Sequence, residues 1–264
     1  MVKLIFAFCV AAVGLGLAQP SMAQTPATLI RSSQYIFQGT VEEPGASNVK
    51  LLPASERTAV VRVNSMLRAP KGMNFSSRDI TLYLLSDSAV KPGESAVFFA
   101  NGWLYGENVA MREVGRLPAA SAQELKTTIS QVDAQVADEA LLVRMREADL
   151  VIQGRVLTTN VVRGEDRKPS EHSTGWALAE VQVAAVLKGQ APGGAKTVPV
   201  YFPTSTDEVW YLSPKFSTGQ EGTFILSAAP AKRNHLEGYT ALGSLDFLTG
   251  KDTERAKALA QRLR

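Results

Sequence analysis

One short apolar pattern occurs twice in this chain of 264 residues, and it constrains the fold more than any other feature. Residues 148–156 read ADLVIQGRV, and residues 34–41 read QYIFQGTV. Both segments place an apolar run before Gln-Gly and end on valine, which is typical of a buried strand whose glycine meets a bend or a crossing backbone. The glycines, Gly39 and Gly154, are 115 positions apart. The pattern predicts two tandem copies of one β-rich unit.

Three further pairs of segments repeat at similar spacing. Leu67 in segment 59–70 corresponds to Leu187 in segment 179–189, an offset of 120. Segments 80–84 and 198–202 are offset by 118, and segments 93–99 and 220–226 by 127. Offsets that drift only between strands indicate loop insertions in an old duplication. The alternative is that two unrelated all-β halves share nothing but apolar alternation.

The N-terminus has the pattern of a secretory signal peptide. Lys3 is followed by an apolar stretch, residues 4–17, that is too short to span a bilayer. Ser21 and Ala23 form a small-residue cleavage site, so Gln24 is the predicted start of the mature chain. A retained membrane anchor is the competing interpretation. We expect an exported protein, periplasmic or secreted, with no transmembrane segment after cleavage.

Cysteine content and charge narrow the possible functions. The single cysteine, Cys9, lies inside the predicted signal peptide, so the mature chain has no thiol for a disulfide, a thiolate zinc site or a nucleophile. Without Lys3, 27 basic residues face 25 acidic ones and form no clustered basic face. Nucleic-acid backbone binding needs such a face, and we therefore expect no nucleic-acid partner.

Periodicity predicts the elements. Alternating apolar residues indicate strands at 36–41, 58–67, 79–85, 96–100 and 108–114. Ser121 and Glu124 form a capping box before a stretch with helical spacing, residues 121–147, which we interpret as one or two helices. Shorter helices are predicted at 27–33 and from Asp252 or Thr253 to Arg264.

The predicted fold is mainly β with helices, and it consists of two small OB-like barrels, each followed by a helix. The domains are a signal peptide at 1–23, barrel domains at 24–120 and 148–250, a helical connector at 121–147 and a C-terminal helix at 251–264. Five short strands per copy, with a glycine turn before the fourth, are the basis for this assignment.

A family resemblance accompanies this pattern. Copy two carries Ala-Asp-x-Val-x-x-Gly-x-Val, then Val-x-x-Val-Leu-Lys-Gly, a Val-x-Val strand and Gly-Gln-Glu-Gly-Thr-Phe-Ile-Leu, and it resembles the bacterial relatives of the netrin and tissue-inhibitor-of-metalloproteinase (NTR/TIMP-like) barrels. The matching positions are Ala148, Asp149, Val151, Gly154, Val156, Val183, Val186, Leu187, Lys188, Gly189, Val198, Val200 and 219–226. The resemblance implies an OB-type fold. Those families use a cysteine near the mature N-terminus, whereas Gln24 stands here, so zinc chelation by that cysteine does not carry over.

Candidate catalytic groups are few. His172 and His235 lie in polar segments, and neither is accompanied by a Gly-x-Ser-x-Gly elbow. Glu165, Asp166, Glu171 and His172 match no known metal-ligand spacing. Asp207 and Glu208 are interpreted as a solvated loop rather than an acid and base pair. We predict no catalytic residue, no cofactor and no metal.

One loop has no counterpart in copy one. Residues 203–214 place Trp210 beside Tyr211, and loop aromatics on rigid scaffolds favour recognition. The alternative is that Trp210 folds back to plug its own barrel, while Trp176 and Trp103 are expected in core or cap positions. The candidate interaction surface comprises Trp210, Tyr211, Asp207, Glu208 and His172.

The sequence predicts an exported, non-catalytic binding or protein-interaction module whose partner is a protein or cell-envelope component. One alternative is a periplasmic hydrolase with a site near His172. Another is oligosaccharide or single-stranded nucleic-acid binding, which many OB barrels perform. The interleaved aromatic and basic residues typical of such binding are sparse on strands two and three.

Overall fold

The computed structural model describes residues 24–85, 89–105, 108–162, 175–229 and 238–263, and the backbone alone of 103–105. The chain divides into two compact units, with the boundary between Ser130 and Gln131. No helix among the described residues is both long and apolar enough to cross a bilayer.

Unit 1 is built on five strands. Its elements are α1 (Pro26–Ser32), β1 (Tyr35–Pro44), β2 (Thr58–Arg68), β3 (Asp79–Tyr83), β4 (Ser95–Tyr105), β5 (Asn108–Pro118) and a 3-10 turn (Ala119–Ser121), followed by α2 (Ala122–Glu147), which crosses the unit boundary. The strands close a barrel in the order β1-β2-β3-β5-β4, and all pairs are antiparallel except β3 with β5. This is the OB-type barrel that the sequence predicts.

Unit 2 repeats this arrangement with shorter final strands. Its strands are β6 (Leu150–Val162), β7 (Trp176–Lys188), β8 (Thr197–Pro203), β9 (Glu221–Ala228), β10 (Tyr239–Thr240) and β11 (Phe247–Leu248). Two 3-10 turns and a helix complete it: Pro192–Gly194, α3 (Lys251–Ala260) and Gln261–Leu263. The sheet order is β10-β8-β7-β6-β9-β11, and an added β10–β9 pairing closes a ring.

Alternation along the strands fills the two barrels. Val61 and Val63 of β2 are fully buried, whereas Arg62 and Asn64 between and after them are exposed. Phe37 and Phe98 stack inside barrel 1 with ring centroids 5.5 Å apart. In barrel 2 the corresponding core is formed by aliphatic residues of β6 to β8 together with an aromatic group from β9 and its neighbours. Each unit therefore has its own packed core.

The irregularities of strand pairing repeat at the predicted spacing. The β1–β2 register shifts after Ile36, Gln38 and Val41, and the β6–β7 register shifts after Val151, Gln153 and Val156. Each shift in the second unit is displaced by the offset of 115 that separates Gly39 from Gly154. Bulges are fixed features of a fold rather than defects. Their coincidence favours duplication over chance alternation.

Gly39 and Gly154 occupy the close approach that the sequence predicts. A Cβ on Gly39 would lie 2.8 Å from Val61 Cγ1 and 3.0 Å from the Arg62 carbonyl oxygen. A Cβ on Gly154 would collide with the carbonyl oxygen of Gln182. The neighbouring strand crosses here without room for a side chain, so only glycine fits.

A cation at the end of the second strand caps the preceding helix in each unit. Arg68 Nη1 donates to the Ile30 carbonyl oxygen of α1 over 2.6 Å. Lys188, which is 120 positions later, donates from Nζ to the Arg146 and Ala148 carbonyl oxygens at the end of α2. Cations near a helix C-terminus satisfy its orphan carbonyls. Lys188 of the Leu-Lys-Gly motif thus has a structural role.

Several predicted boundaries need correction. Of the one or two helices predicted for residues 121–147, the structure has one, α2 over Ala122–Glu147, and the segment contains no Gly or Pro to interrupt it. Helix α3 begins at Lys251 with Gly250 at the N-cap, and the Thr253 hydroxyl instead donates to the Leu248 carbonyl oxygen. Strand β3 ends at Tyr83, before Leu84 and Leu85. Hydrogen bonds of Gly93 with Val41 and of Gly219 with Val156 set the fourth offset at 126, not 127.

Candidate functional site

The loop between β8 and β9 folds into two successive β-turns. The Trp210 amide donates to the Asp207 carbonyl oxygen over 2.8 Å, and the Ser213 amide donates to the Trp210 carbonyl oxygen over 3.0 Å. The turns share Trp210, and we call residues 207–213 the double-turn loop. Its central residues are Glu208 and Val209 in the first turn and Tyr211 and Leu212 in the second.

Large apolar side chains occupy these central positions. Val209, Tyr211 and Leu212 have 56%, 62% and 58% of their surface exposed. Central turn residues point away from the turn and are usually Gly, Pro, Asn, Asp or Ser. Three apolar side chains in those places leave more than half of their surface unburied within the described fold. The arrangement therefore leaves apolar surface exposed at the tip of the loop.

Trp210 does not share this exposure. It is half-buried, and its ring meets the ring of Trp176, at the start of β7, edge to face with centroids 6.1 Å apart. Beside this pair, the Thr204 amide donates to the Gly175 carbonyl oxygen over 2.8 Å. Trp210 joins the loop to the barrel wall, and it does not fill the barrel interior. The exposed aromatic of the predicted pair is Tyr211 alone.

Phe216, just after the double-turn loop, fills the barrel interior instead. Its ring lies 5.0 Å from Phe202, 5.4 Å from Phe224 and 5.1 Å from Phe247, measured between centroids. Such tilted and edge-to-face pairs add favourable energy beyond the apolar area that they bury. The loop is thus anchored on its C-terminal side by a core residue.

Lys215 stabilises the double-turn loop through two hydrogen bonds to its backbone. Its Nζ donates to the Trp210 carbonyl oxygen over 2.9 Å and to the Ser213 carbonyl oxygen over 3.2 Å. Burial lowers the pKa of Lys215 from the ordinary lysine value of 10.5. The ammonium group therefore stabilises the loop by binding two of its backbone carbonyl oxygens.

A second segment supports the loop from the side. The buried Ser213 hydroxyl donates to the Leu242 carbonyl oxygen over 2.5 Å. The Leu242 and Gly243 amides donate to Asp246 Oδ2 over 2.7 and 2.9 Å. Asp246 Oδ1 accepts from Arg144 Nε over 2.6 Å. A chain of hydrogen bonds connects α2 to the loop within unit 2, so the exposed side chains stand on a fixed backbone.

The acidic residues of the loop have different surroundings. Asp207 Oδ1 accepts a hydrogen bond from the Val209 amide over 3.0 Å, the bond that closes an Asx turn. Glu208 is exposed and has no partner within the described part of the chain. One carboxylate shapes the turn, and the other is exposed to solvent.

Five other candidate residues fall in segments that the structure does not describe. His172, His235, Glu165, Asp166 and Glu171 lie outside the described residues. Within the described ranges, no three acidic or imidazole side chains are placed to hold a metal ion. Trp103 has a described backbone only, near the end of β4.

Two shallow clefts lie on unit 1. The larger one, about 390 Å³, adjoins the end of α1 and is lined by Arg31, Gln34, Arg68 and Asn101 among others. Most of its polar groups serve the fold, since the Asn101 amide bridges the Ser32 carbonyl oxygen and the Gln34 amide. The other cleft, about 340 Å³, contains the exposed Arg62–Asp79 ion pair at 2.9 Å.

The sequence did not reveal Phe216, Lys215 or Leu242 as partners of the double-turn loop. Leu242 comes from a part of the chain distant in sequence, and no spacing rule connects it with residue 213. Phe216 and Lys215 could have been predicted from the sequence, because an apolar residue and a cation directly after an inserted loop are candidates for anchoring it.

A comparison of the chain with protein-family models and with curated proteins finds no match.

Proposed function

We propose that this chain is an exported, non-catalytic interaction module, and that the double-turn loop of unit 2 is its contact surface. The observation that carries the proposal is the exposure of Val209, Tyr211 and Leu212 at the central positions of two hydrogen-bonded turns. A preorganised loop loses little entropy on binding, and exposed aromatic and aliphatic side chains on it act as anchors. The export expectation comes from residues 1–23.

Rigid support distinguishes this loop from an incidental apolar patch. Lys215, Ser213 and Phe216 fix its backbone, and Trp176 holds Trp210. Stability alone would favour polar residues at these turn positions, since exposed apolar tips promote association. Recognition explains both the fixed backbone and the choice of side chains.

The test compares capture of partners by matched variants. Tagged chain is incubated with a periplasmic extract, and bound proteins are quantified for wild type, for Tyr211→Ser with Leu212→Ser, and for Leu51→Ser. Leu51 is 77% exposed on unit 1 and serves as the control for removing an exposed leucine. We expect the loop variant to lose at least about tenfold in capture of specific partners, and the control to keep it.

Folding is checked in parallel. Surface substitutions change unfolding free energy little, so both variants should melt within about 2 °C of wild type. A His172→Ala variant addresses the hydrolase alternative, because a catalytic site there would respond to this change and the loop would not. Equal capture by wild type and the loop variant would overturn the proposal.

A further inference from the structure

The charge of the double-turn loop specifies the kind of partner. Residues 203–214 contain two acidic side chains, Asp207 and Glu208, and no basic one. Glu208 is exposed at the first turn, directly before Val209. The nearest following cation, Lys215, donates to two backbone carbonyl oxygens beneath the loop. The tip therefore combines apolar side chains with a negative charge.

This combination disfavours a membrane surface as the occupant. Anionic headgroups attract basic segments, and the loop offers carboxylates where such a segment would need lysine or arginine. It also disfavours an acidic protein surface, since like charges placed together cost binding energy. A partner that places a cation beside an apolar side chain satisfies both parts of the tip.

We infer that the double-turn loop docks a protein segment that presents an arginine or lysine next to an apolar side chain. The apolar residue packs on Tyr211 and Leu212, and the cation lies against the Glu208 carboxylate. Leu242 adds an exposed apolar side chain on the segment to which the loop is bonded, since the Ser213 hydroxyl donates to the Leu242 carbonyl oxygen over 2.5 Å. This inference rests on the proposed function and adds the chemical class of the partner.

The test uses synthetic peptides of equal length as probes. One alternates leucine with arginine, one alternates leucine with glutamate, and one alternates serine with arginine. Binding of each labelled peptide to the purified chain is measured by fluorescence anisotropy. We expect the leucine–arginine peptide to bind at least about tenfold more tightly than the other two, with affinity falling as salt rises from about 50 to about 500 mM.

Variants locate the contact. Glu208→Lys should weaken binding of the leucine–arginine peptide about tenfold and improve that of the leucine–glutamate peptide, because it reverses the charge at the tip. Leu212→Ser should weaken both, and Leu51→Ser should change neither. Because Glu208 is exposed and without a partner in the described chain, the charge reversal leaves the fold intact, which circular dichroism checks.

Three results of the peptide experiments would overturn the inferred partner class. These are equal binding of the leucine–glutamate peptide, no effect of Glu208→Lys, and no binding of any peptide. Sedimentation with phosphatidylglycerol vesicles that is lost in Leu212→Ser would overturn it in favour of a membrane. If capture from extract still depends on Tyr211 and Leu212, these results remove the partner class alone. If that dependence is absent, the proposed function itself fails.

Discussion

In unit 2, Arg144 Nε donates to Asp246 Oδ1 over 2.6 Å. The equivalent positions of unit 1 are Leu29 and Gly115, and there the Leu29 side chain packs over the glycine. Arg144 is 115 positions after Leu29. The Asp246 carbonyl oxygen accepts a hydrogen bond from the Ile225 amide in β9, just as Gly115 pairs with Phe99 in β4, the equivalent strand of unit 1. Unit 1 therefore packs α1 against its barrel through an apolar contact at this position, whereas unit 2 binds α2 through an ion pair. The substitution occurs next to the segment that supports the double-turn loop.

Replacing Asp246 by Ala should destabilise unit 2 by about 3 to 5 kcal/mol, because it removes the carboxylate that pairs with the largely buried Arg144 guanidinium and leaves Arg144 Nε and two amides without their acceptor. Chemical denaturation followed by circular dichroism measures this. Glu221→Ala, which removes an exposed ion pair with Arg155 at 3.7 Å, is the control and should cost less than about 1 kcal/mol. Similar losses for both variants would contradict the assigned role of Asp246.

Gly154→Val should destabilise unit 2 by roughly 1 to 3 kcal/mol, the range for overpacking, because the Gln182 carbonyl oxygen occupies the space of a Cβ. Gly243→Ala is the control, since its Cβ would meet only ordinary contacts of 3.5 Å or more at Asp246. Thermal melts of the two variants decide the matter. An unchanged melting temperature for Gly154→Val would contradict this prediction, because it would show that the neighbouring strand moves to accommodate the side chain.

Lys188→Ala should cost about 1 kcal/mol, because the C-terminal carbonyl oxygens of α2 lose a charged donor. Denaturant unfolding of unit 2 measures the loss, and Lys188→Arg should restore most of it. Arg68→Ala should have a comparable effect on unit 1, where Arg68 caps α1. An unchanged free energy of unfolding for Lys188→Ala would mean that solvent satisfies those carbonyl oxygens equally well.

The sequence predicted the strand pattern because barrel strands must alternate, and the duplicated glycines because a crossing backbone excludes side chains there. It could not predict where the fifth strand of unit 2 breaks. That break, between β10 and β11, depends on Asp246 turning back to bind the Leu242 and Gly243 amides. Such a contact follows from tertiary placement and leaves no periodic signal.

The candidate site was predictable in position but only partly in role. An insertion with adjacent aromatics was visible in the sequence, and it does form an exposed loop. Which aromatic is exposed depended on Trp176, whose ring lies beside Trp210 and not beside Tyr211. That choice is set by how the turns place successive residues, since Trp210 is the shared corner and Tyr211 a central residue.

The stability of unit 2 should fall at alkaline pH in a way that depends on Tyr239. Burial, with the negative charge of Asp149, raises the pKa of Tyr239 above the ordinary value of 10.0. The folded state then keeps a proton that the unfolded state loses, so this contribution is complete below pH 10.0 and is lost as pH rises through the folded pKa. Urea unfolding between about pH 9 and about pH 11 should show a smaller loss for Tyr239→Phe. Equal losses in the two proteins would contradict the raised pKa.

Site-specific photo-crosslinking tests the role of the double-turn loop most directly. A photoreactive phenylalanine analogue is placed at position 211 in one protein and at position 51 in another, and both are irradiated in the cells that produce them. Both positions are exposed, so any difference reports recognition rather than accessibility. The account predicts discrete cross-linked partners at position 211 that disappear with Leu212→Ser, and none of these partners at position 51. The same cross-linked species at both positions, or none at position 211, would contradict it.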